Sequence, residues 1–206
     1  GGAINIITKT PQIDDPFAIN AKQGVRNYNG HSGDYGVEGT LIESRLAARL
    51  AYSYSRRDGY YENKLGGADL SQQDFQAARL VLNMDFTDKV NMVFKYTNAR
   101  NDGLASPSRN EPRGDLSNNP ELAAVLDTLG VGTYDEPNNG YIDNTGYSRP
   151  AKGLGYYEVE DNFTGALVVN LDQAVNKIEY VGDRFTVTAI TALSESDYAQ
   201  AQNVDG

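Results

Sequence analysis

Alternation of apolar and polar side chains with period two constrains this chain more than any other feature. In residues 45–55 one face is Leu46, Ala48, Leu50, Tyr52 and Tyr54, and the other is Arg45, Ala47, Arg49, Ala51, Ser53 and Ser55. Successive side chains point to opposite sides of a strand, so this pattern predicts a half-covered β-strand. The same pattern recurs in residues 77–86 (Ala78, Leu80, Leu82, Met84, Phe86) and 90–97 (Val90, Met92, Phe94, Tyr96). Weaker versions occupy 17–28 (Phe17, Ile19, Ala21, Val25), 33–42 (Tyr35, Val37, Gly39, Leu41), 162–171 (Phe163, Leu167, Val169, Leu171) and 185–193, where the two faces are not distinguished. About seven antiparallel strands are expected.

Connection lengths add a second constraint. Short turns fall at 43–44 and 87–89, whereas polar, Gly-, Asn- and Pro-rich connections fill 56–73 and 100–156. Long loops at one end of a sheet and tight turns at the other are the asymmetry of transmembrane barrels. Residues 172–184 exceed a tight turn, and 177–181 within them have the composition to extend a strand. In the longest connection, Asn119, Pro120, Glu121 and Gly130 have the capping chemistry of a short helix over 120–129.

Mean hydropathy is −0.54, and no apolar run approaches the roughly 20 residues of a membrane helix. That value does not bear on a barrel, whose alternating strands average to a hydrophilic score. With 18 Lys+Arg against 28 Asp+Glu, the net charge of −10 opposes general binding to phosphate backbones. There is no Cys, which removes thiol nucleophiles, disulfides and Cys-ligated metals, and His31 is the one His. A Ser-His-Asp triad would have to be built on His31 in a Gly-flanked turn, so a binding or transport role is expected and catalysis is not. The oxygens of Asp135, Glu136, Asn138, Asn139, Asp143 and Asn144 lack the spacing of an EF-hand loop and read as a solvated acidic segment. No metal site and no cofactor are expected.

The chain opens Gly1-Gly2-Ala3-Ile4-Asn5-Ile6-Ile7-Thr8-Lys9-Thr10-Pro11. This segment resembles the end of the plug domain of TonB-dependent outer-membrane receptors, just before their first barrel strand. Leu46 to Tyr60 is similar to the early barrel of that family, and Thr188-Ala189-Ile190-Thr191-Ala192-Leu193 to one of its barrel strands. Gly1 and Gly2 permit a close backbone approach where the plug turns toward the wall, and Pro11 stops ladder pairing at the junction.

The resemblance implies an all-β fold: an antiparallel transmembrane β-barrel segment, part of a plugged barrel of about 22 strands, with one short helix in a long loop. Residues 1–11 are then the C-terminal end of the plug domain and 12–206 the N-terminal part of the barrel, with loops 56–73 and 100–156 extracellular. A barrel of about 22 strands of roughly 10 residues needs about 220 residues before any loop, so the chain is expected to be an internal fragment of a larger receptor. The apolar faces would meet outer-membrane lipid, with Tyr52, Tyr54, Phe94 and Tyr96 near an interfacial girdle. Arg49, Asn83, Lys95 and Asn170 would face a polar lumen.

The implied function is TonB-energised uptake across the outer membrane of a Gram-negative bacterium. TonB would act through a segment missing from this chain. A ferric siderophore is the expected ligand, with cobalamin or an oligosaccharide as alternatives. A passive porin-like or adhesin barrel is the reading from another class. In the longest connection Tyr134, Tyr141, Tyr147, Tyr156 and Tyr157 occur with Arg109, Arg113, Arg149 and Lys152. Rings and cations together suit a flat anionic ligand. Arg109, Arg113, Tyr134, Tyr141 and Arg149 are therefore the candidate ligand contacts.

Overall fold

The computed structural model describes residues 8–107, 121, 124, 128, 133–135, 140–142, 153–163 and 165–201. Its main feature is a seven-stranded sheet. In chain order its members are β1 (Ala18–Arg26), β2 (Gly30–Ile42), β3 (Leu46–Arg57), β5 (Gln73–Thr87), β6 (Val90–Gly103), β10 (Ala166–Val181) and β11 (Thr186–Ala201). Four short strands complete the set: β4 (Glu62–Asn63), β7 (Thr133–Asp135), β8 (Gly140–Ile142) and β9 (Glu158–Val159). The sheet order is β1-β2-β3-β5-β6-β10-β11, so each strand pairs with its neighbours in the meander, and the sheet is open with β1 and β11 at its edges. The registered pairs among the long strands are antiparallel.

All seven strands expected from period two are present, and most run longer than the alternation alone indicated. β3 reaches Arg57, β6 reaches Gly103, and β10 continues through 177–181 to Val181. The connection expected at 172–184 is therefore strand up to Val181, closed by a turn in which Gly182 N–H donates to the Phe185 carbonyl at 2.8 Å. The long connections shorten to 58–72 and 104–165 and carry strands of their own. His31 lies within β2, paired with Val25 and Arg56, and not in a turn. Of the helix expected over 120–129, Glu121, Ala124 and Thr128 are described; they have helical backbone, and the Thr128 hydroxyl donates to the Ala124 carbonyl at 2.8 Å. The rest of that segment lies outside the described residues.

Register decides which side chains share a face, because directly paired residues point the same way. One row runs Ile19, Val37, Leu50, Leu80, Tyr96, Ala174, and the next Ala21, Tyr35, Tyr52, Ala78, Asn98, Asp172. On the opposite face Glu38, Arg49, Val81 and Lys95 form one row and Ala47, Asn83 and Val93 lie in another. Arg49, Asn83 and Lys95 thus share the polar face as expected. Asn170 does not: it pairs with Arg100 on the face of Tyr96, while Leu167, Val169 and Leu171 fall on the face of Lys95. The ladder from Gly103 to Val90 is continuous, so pairing with β6 fixes this parity.

Burial is inverted relative to a water-soluble sheet. Glycines aside, the most buried residues of the sheet, Ala47, Val81 (1% exposed), Asn83 (8%) and Thr97, belong to the polar face. On the apolar face Ile19 is 70% and Leu50 52% exposed, and Tyr52, Tyr96 and Ile178 are also exposed. Residues 8–15 run over the polar face. Asn83 Nδ2 donates to the carbonyl of buried Pro11 at 2.9 Å, and Lys95 Nζ donates to Thr8 Oγ1 at 3.1 Å. Lys9 pairs with Glu38, which also receives Arg49 at 2.8 Å. Ser44 N–H donates to Asp14 Oδ1 at 2.7 Å. Gly36 makes room for neighbouring polar side chains of this face: a Cβ there would lie 2.9 Å from the Arg49 guanidinium and would collide with Asn20 Oδ1.

The chain divides into two compact units, the first holding the long strands and the second comprising 59–72, 104–166 and 200–206. In the second unit Leu70 and Val159 are its most buried apolar side chains together with Ala105.

Candidate functional site

The second unit is organised by a short repeat. Gly-Tyr-Tyr-Glu occurs at residues 59–62 and again at 155–158. Strands β4 and β9, which begin at the two glutamates, pair in parallel with Glu62 beside Glu158 and Asn63 beside Val159. Glu62 N–H donates to the Tyr157 carbonyl and Lys64 N–H to the Val159 carbonyl, both at 2.8 Å. The two copies therefore lie side by side in the same direction, and their tyrosine doublets gather.

Tyr157 is the centre of that cluster. Its ring centroid is 4.8 Å from Tyr156, 5.7 Å from Tyr61 and 6.0 Å from Tyr60, and Tyr60 and Tyr61 are 4.8 Å apart. Tyr156 and Tyr157 meet edge to face, an arrangement favoured by the ring quadrupole. Tyr156 is 63% and Tyr157 51% exposed, while Tyr60 and Tyr61 are half-buried. The turn carrying the outer pair is tied at both ends: Glu158 N–H donates to the Gly155 carbonyl at 3.2 Å, and Gly155 N–H donates to Glu158 Oε2 at 2.7 Å.

Beside the rings the two glutamates share one cation. Lys64 Nζ is 2.7 Å from Glu62 Oε1 and 2.7 Å from Glu158 Oε1. Hydrogen bonding to Glu158 first, and to Glu62 second, holds the Lys64 ammonium above the usual lysine range. Below this pair, buried Asn63 joins the two segments. Its Nδ2 donates to the Asp161 carbonyl at 2.8 Å and its Oδ1 accepts from Asp161 N–H at 3.2 Å. Asn63 Oδ1 also accepts from Leu65 N–H at 3.1 Å, and Asn63 N–H donates to Asp69 Oδ1 at 3.2 Å. A second tie joins Ser71 and Ser106 through their hydroxyls at 2.8 Å.

The residues singled out from the sequence are distributed unevenly. Tyr134 and Tyr141 are direct partners in the β7–β8 pair. Pro11 stands at the sheet's polar face as described above. Arg109, Arg113, Arg149, Tyr147, Lys152, Gly1 and Gly2 lie outside the described residues. Tyr156 meets Tyr157, and Tyr157 in turn meets Tyr60 and Tyr61 from the preceding long connection. The repeated Gly-Tyr-Tyr-Glu was the available signal for that pairing.

In the first unit a concavity of about 360 Å³ opens beside the polar face, bordered by Asn20, Asp34, Arg49, Ser53, Arg79 and Thr97 among others. Its polar groups are engaged: Ser53 donates to Asp34 at 2.6 Å, Arg79 Nε to Thr97 Oγ1 at 2.9 Å, and Arg49 to Glu38. Among the described residues no group of three or more His, Asp or Glu side chains is arranged to hold a metal ion. The described side chains of the second unit thus set exposed rings beside two carboxylates that share one lysine.

Searches against protein-family models, curated proteins and solved structures return no match to this chain.

Proposed function

We propose that this chain forms part of the wall of a TonB-dependent outer-membrane receptor, which takes up a scarce ligand with energy delivered through TonB. The inverted burial of the sheet carries this reading. A face bearing Ile19, Leu50, Tyr52 and Tyr96 is open, while the face bearing Glu38, Arg49, Asn83 and Lys95 is covered by the chain's own residues 8–15. In lipid the open face is solvated by hydrocarbon, and the polar face lines a lumen partly filled by the segment that resembles a plug end.

Strand length and aromatic placement support the same reading. The six strands from β2 onward in the sheet have 12 to 16 residues, enough for the roughly 9–11 that a tilted membrane strand needs. Exposed rings fall toward both ends. Tyr28 and Tyr198 sit near the end from which 58–72 leaves, Tyr35 and Tyr52 lie nearer mid-strand, and Phe17, Phe86, Tyr180 and Phe185 sit near the turns 43–45, 88–89 and 182–185. Barrels carry aromatic girdles at both interfaces.

A ferric siderophore is the cargo the family resemblance implies. The test is accumulation of radiolabelled ferric siderophores by iron-starved cells with and without this protein, each in TonB-positive and TonB-negative backgrounds. Uptake lost in either deletion supports the proposal. Entry that persists without TonB and saturates only weakly would instead mark a passive pore, and unchanged uptake of all cargo in the deletion strain would mark an adhesin.

A further inference from the structure

Register sorts the open face of the seven-stranded sheet into rows, and its chemistry changes sharply from one row to the next. The row Ile19, Val37, Leu50, Leu80, Tyr96, Ala174 carries no charge, and its only side-chain polar group is the Tyr96 hydroxyl. The next row toward the end from which 58–72 leaves is Ala21, Tyr35, Tyr52, Ala78, Asn98, Asp172. Beyond it lies Gln23, Gly33, Tyr54, Gln76, Arg100, Asn170. Between Leu80 and Gln76 on β5, an apolar face has become a polar one.

The tyrosines give that change a direction. Tyr96 Oη donates to Asp172 Oδ1 at 2.6 Å, Tyr35 Oη to Gln23 Oε1 at 2.5 Å and Tyr52 Oη to Gln76 Oε1 at 3.4 Å. In each case the hydroxyl bonds a partner one row nearer the loop end than its own residue. Gln23 Nε2 in turn donates to Tyr54 Oη at 2.7 Å. Gly33 leaves the room in which Tyr35 and Tyr54 stack, because a Cβ there would fall 2.5 Å from the Tyr54 ring. Arg56 and Arg100 each bond a carboxylate through Nε, Asp74 and Asp102 respectively, so the arginines of this polar region are already paired. Rings with a polar tip settle at the boundary between hydrocarbon and headgroups, with the tip on the wet side.

We propose that the outer edge of the hydrocarbon passes through Tyr35, Tyr52 and Tyr96, part-way along the strands, and that outer-leaflet headgroups seat against Gln23, Tyr54, Gln76 and Arg100. This rests on the receptor-wall reading and adds the depth at which the wall stands. From Ala78 to Phe86, β5 advances about 27 Å, or about 20 Å along the membrane normal at a tilt of about 40°, against an apolar band of about 25 Å in barrels. Raising the hydrocarbon by a further row would immerse Gln76 and Arg100. Past the headgroup contacts β3 continues to Arg57 and β6 to Gly103, so 58–72 leave from a wall that stands above the hydrocarbon.

The experiment is a nitroxide ladder on the open face of β5, with Leu82→Cys, Leu80→Cys, Ala78→Cys and Gln76→Cys made singly in the intact protein and reconstituted into phosphatidylcholine bilayers. Collision with oxygen is expected to exceed collision with a water-soluble nickel chelate at 82 and 80, and the order to reverse by 76. Tyr54→Cys, beside Gln76 in register, should read as 76 does. Labels at 76 and 54 that still meet oxygen and exclude the chelate, as at 80 and 82, would overturn the inference and leave the receptor wall standing. Labels at 76 and 54 shielded from both reagents would also overturn it, because protein and not headgroup would then cover this face. Labels at 80 and 82 open to the chelate would overturn the receptor reading itself and the inference with it.

Discussion

Glu62 and Glu158 are direct partners in the parallel β4–β9 pair, and Lys64 Nζ lies 2.7 Å from an oxygen of each. Like charges placed opposite one another repel, so the lysine is what allows the two copies of the repeat to align. Lys64→Met is expected to speed amide hydrogen exchange at Glu62 and Lys64, whose N–H groups form the β4–β9 ladder. The sheet strands should keep their protection. Unaltered exchange at both amides would show that the repeats are held by other contacts.

The same lysine sets a pH dependence. Its ammonium is held above the ordinary value of 10.5 by Glu158 and then Glu62. A raised folded-state value means that the contribution is complete below the unfolded value and is lost as pH climbs through the folded one. Protection of the β4–β9 amides, after correction for intrinsic exchange, is therefore expected to be level between pH 7 and pH 10 and to fall above about 10.5. Lys64→Met should remove that alkaline limb. A decline beginning near neutrality in both proteins would assign the effect to another group.

Asn63 exchanges two hydrogen bonds with the backbone of Asp161, and both residues are buried. Asn63→Ala leaves the Asp161 N–H and C=O without these partners, at a cost of about 1–3 kcal/mol for a buried unsatisfied group. Local opening of 59–72 and 153–163, read by hydrogen exchange, should rise by roughly tenfold or more. Asn63→Asp keeps the acceptor for Asp161 N–H but loses the donor, and an intermediate effect is expected. Equal exchange in all three proteins would contradict the role given to this side chain.

Asn83 spans two partners on the polar face, donating to the Pro11 carbonyl and accepting from Asn91 Nδ2 at 2.8 Å. Asn83→Ala should loosen residues 8–13, and limited trypsin digestion should then cut after Lys9 sooner than in the parent protein. Lys95→Met, which removes the bond to Thr8, should act in the same direction. If cleavage at Lys9 is equally slow in both variants, the segment is held chiefly by Lys9–Glu38 and Asp14–Ser44.

Most of the sheet was legible because alternation is a local property: Leu46 to Tyr54 declare their face without help from any partner. The face of β10 was not, because Val168, Ala174 and Ile178 share their side with Asn170 and Asp172, while Leu167, Val169 and Leu171 share theirs with Gln173 and Lys177. Neither face is wholly apolar, so register with β6 decides. The tyrosine cluster depended on pairing between two loops distant in sequence, and strands of two residues leave almost no periodic signal. The β7–β8 pair around Tyr134 and Tyr141 was missed for the same reason.

The central claim is that the face of Leu50 and Leu80 meets lipid and the face of Ala51 and Arg79 meets a polar interior. The chain has no Cys, so single substitutions Leu50→Cys, Ala51→Cys, Leu80→Cys and Ser53→Cys can each carry a nitroxide in the intact protein reconstituted into bilayers. Collision with dissolved oxygen reports lipid, and collision with a water-soluble nickel chelate reports water. Labels at 50 and 80 are predicted to be oxygen-accessible and chelate-inaccessible, with 51 and 53 shielded from oxygen. Labels at 50 and 80 that meet the chelate freely, or that are shielded from both reagents as in a closed soluble core, would contradict the account.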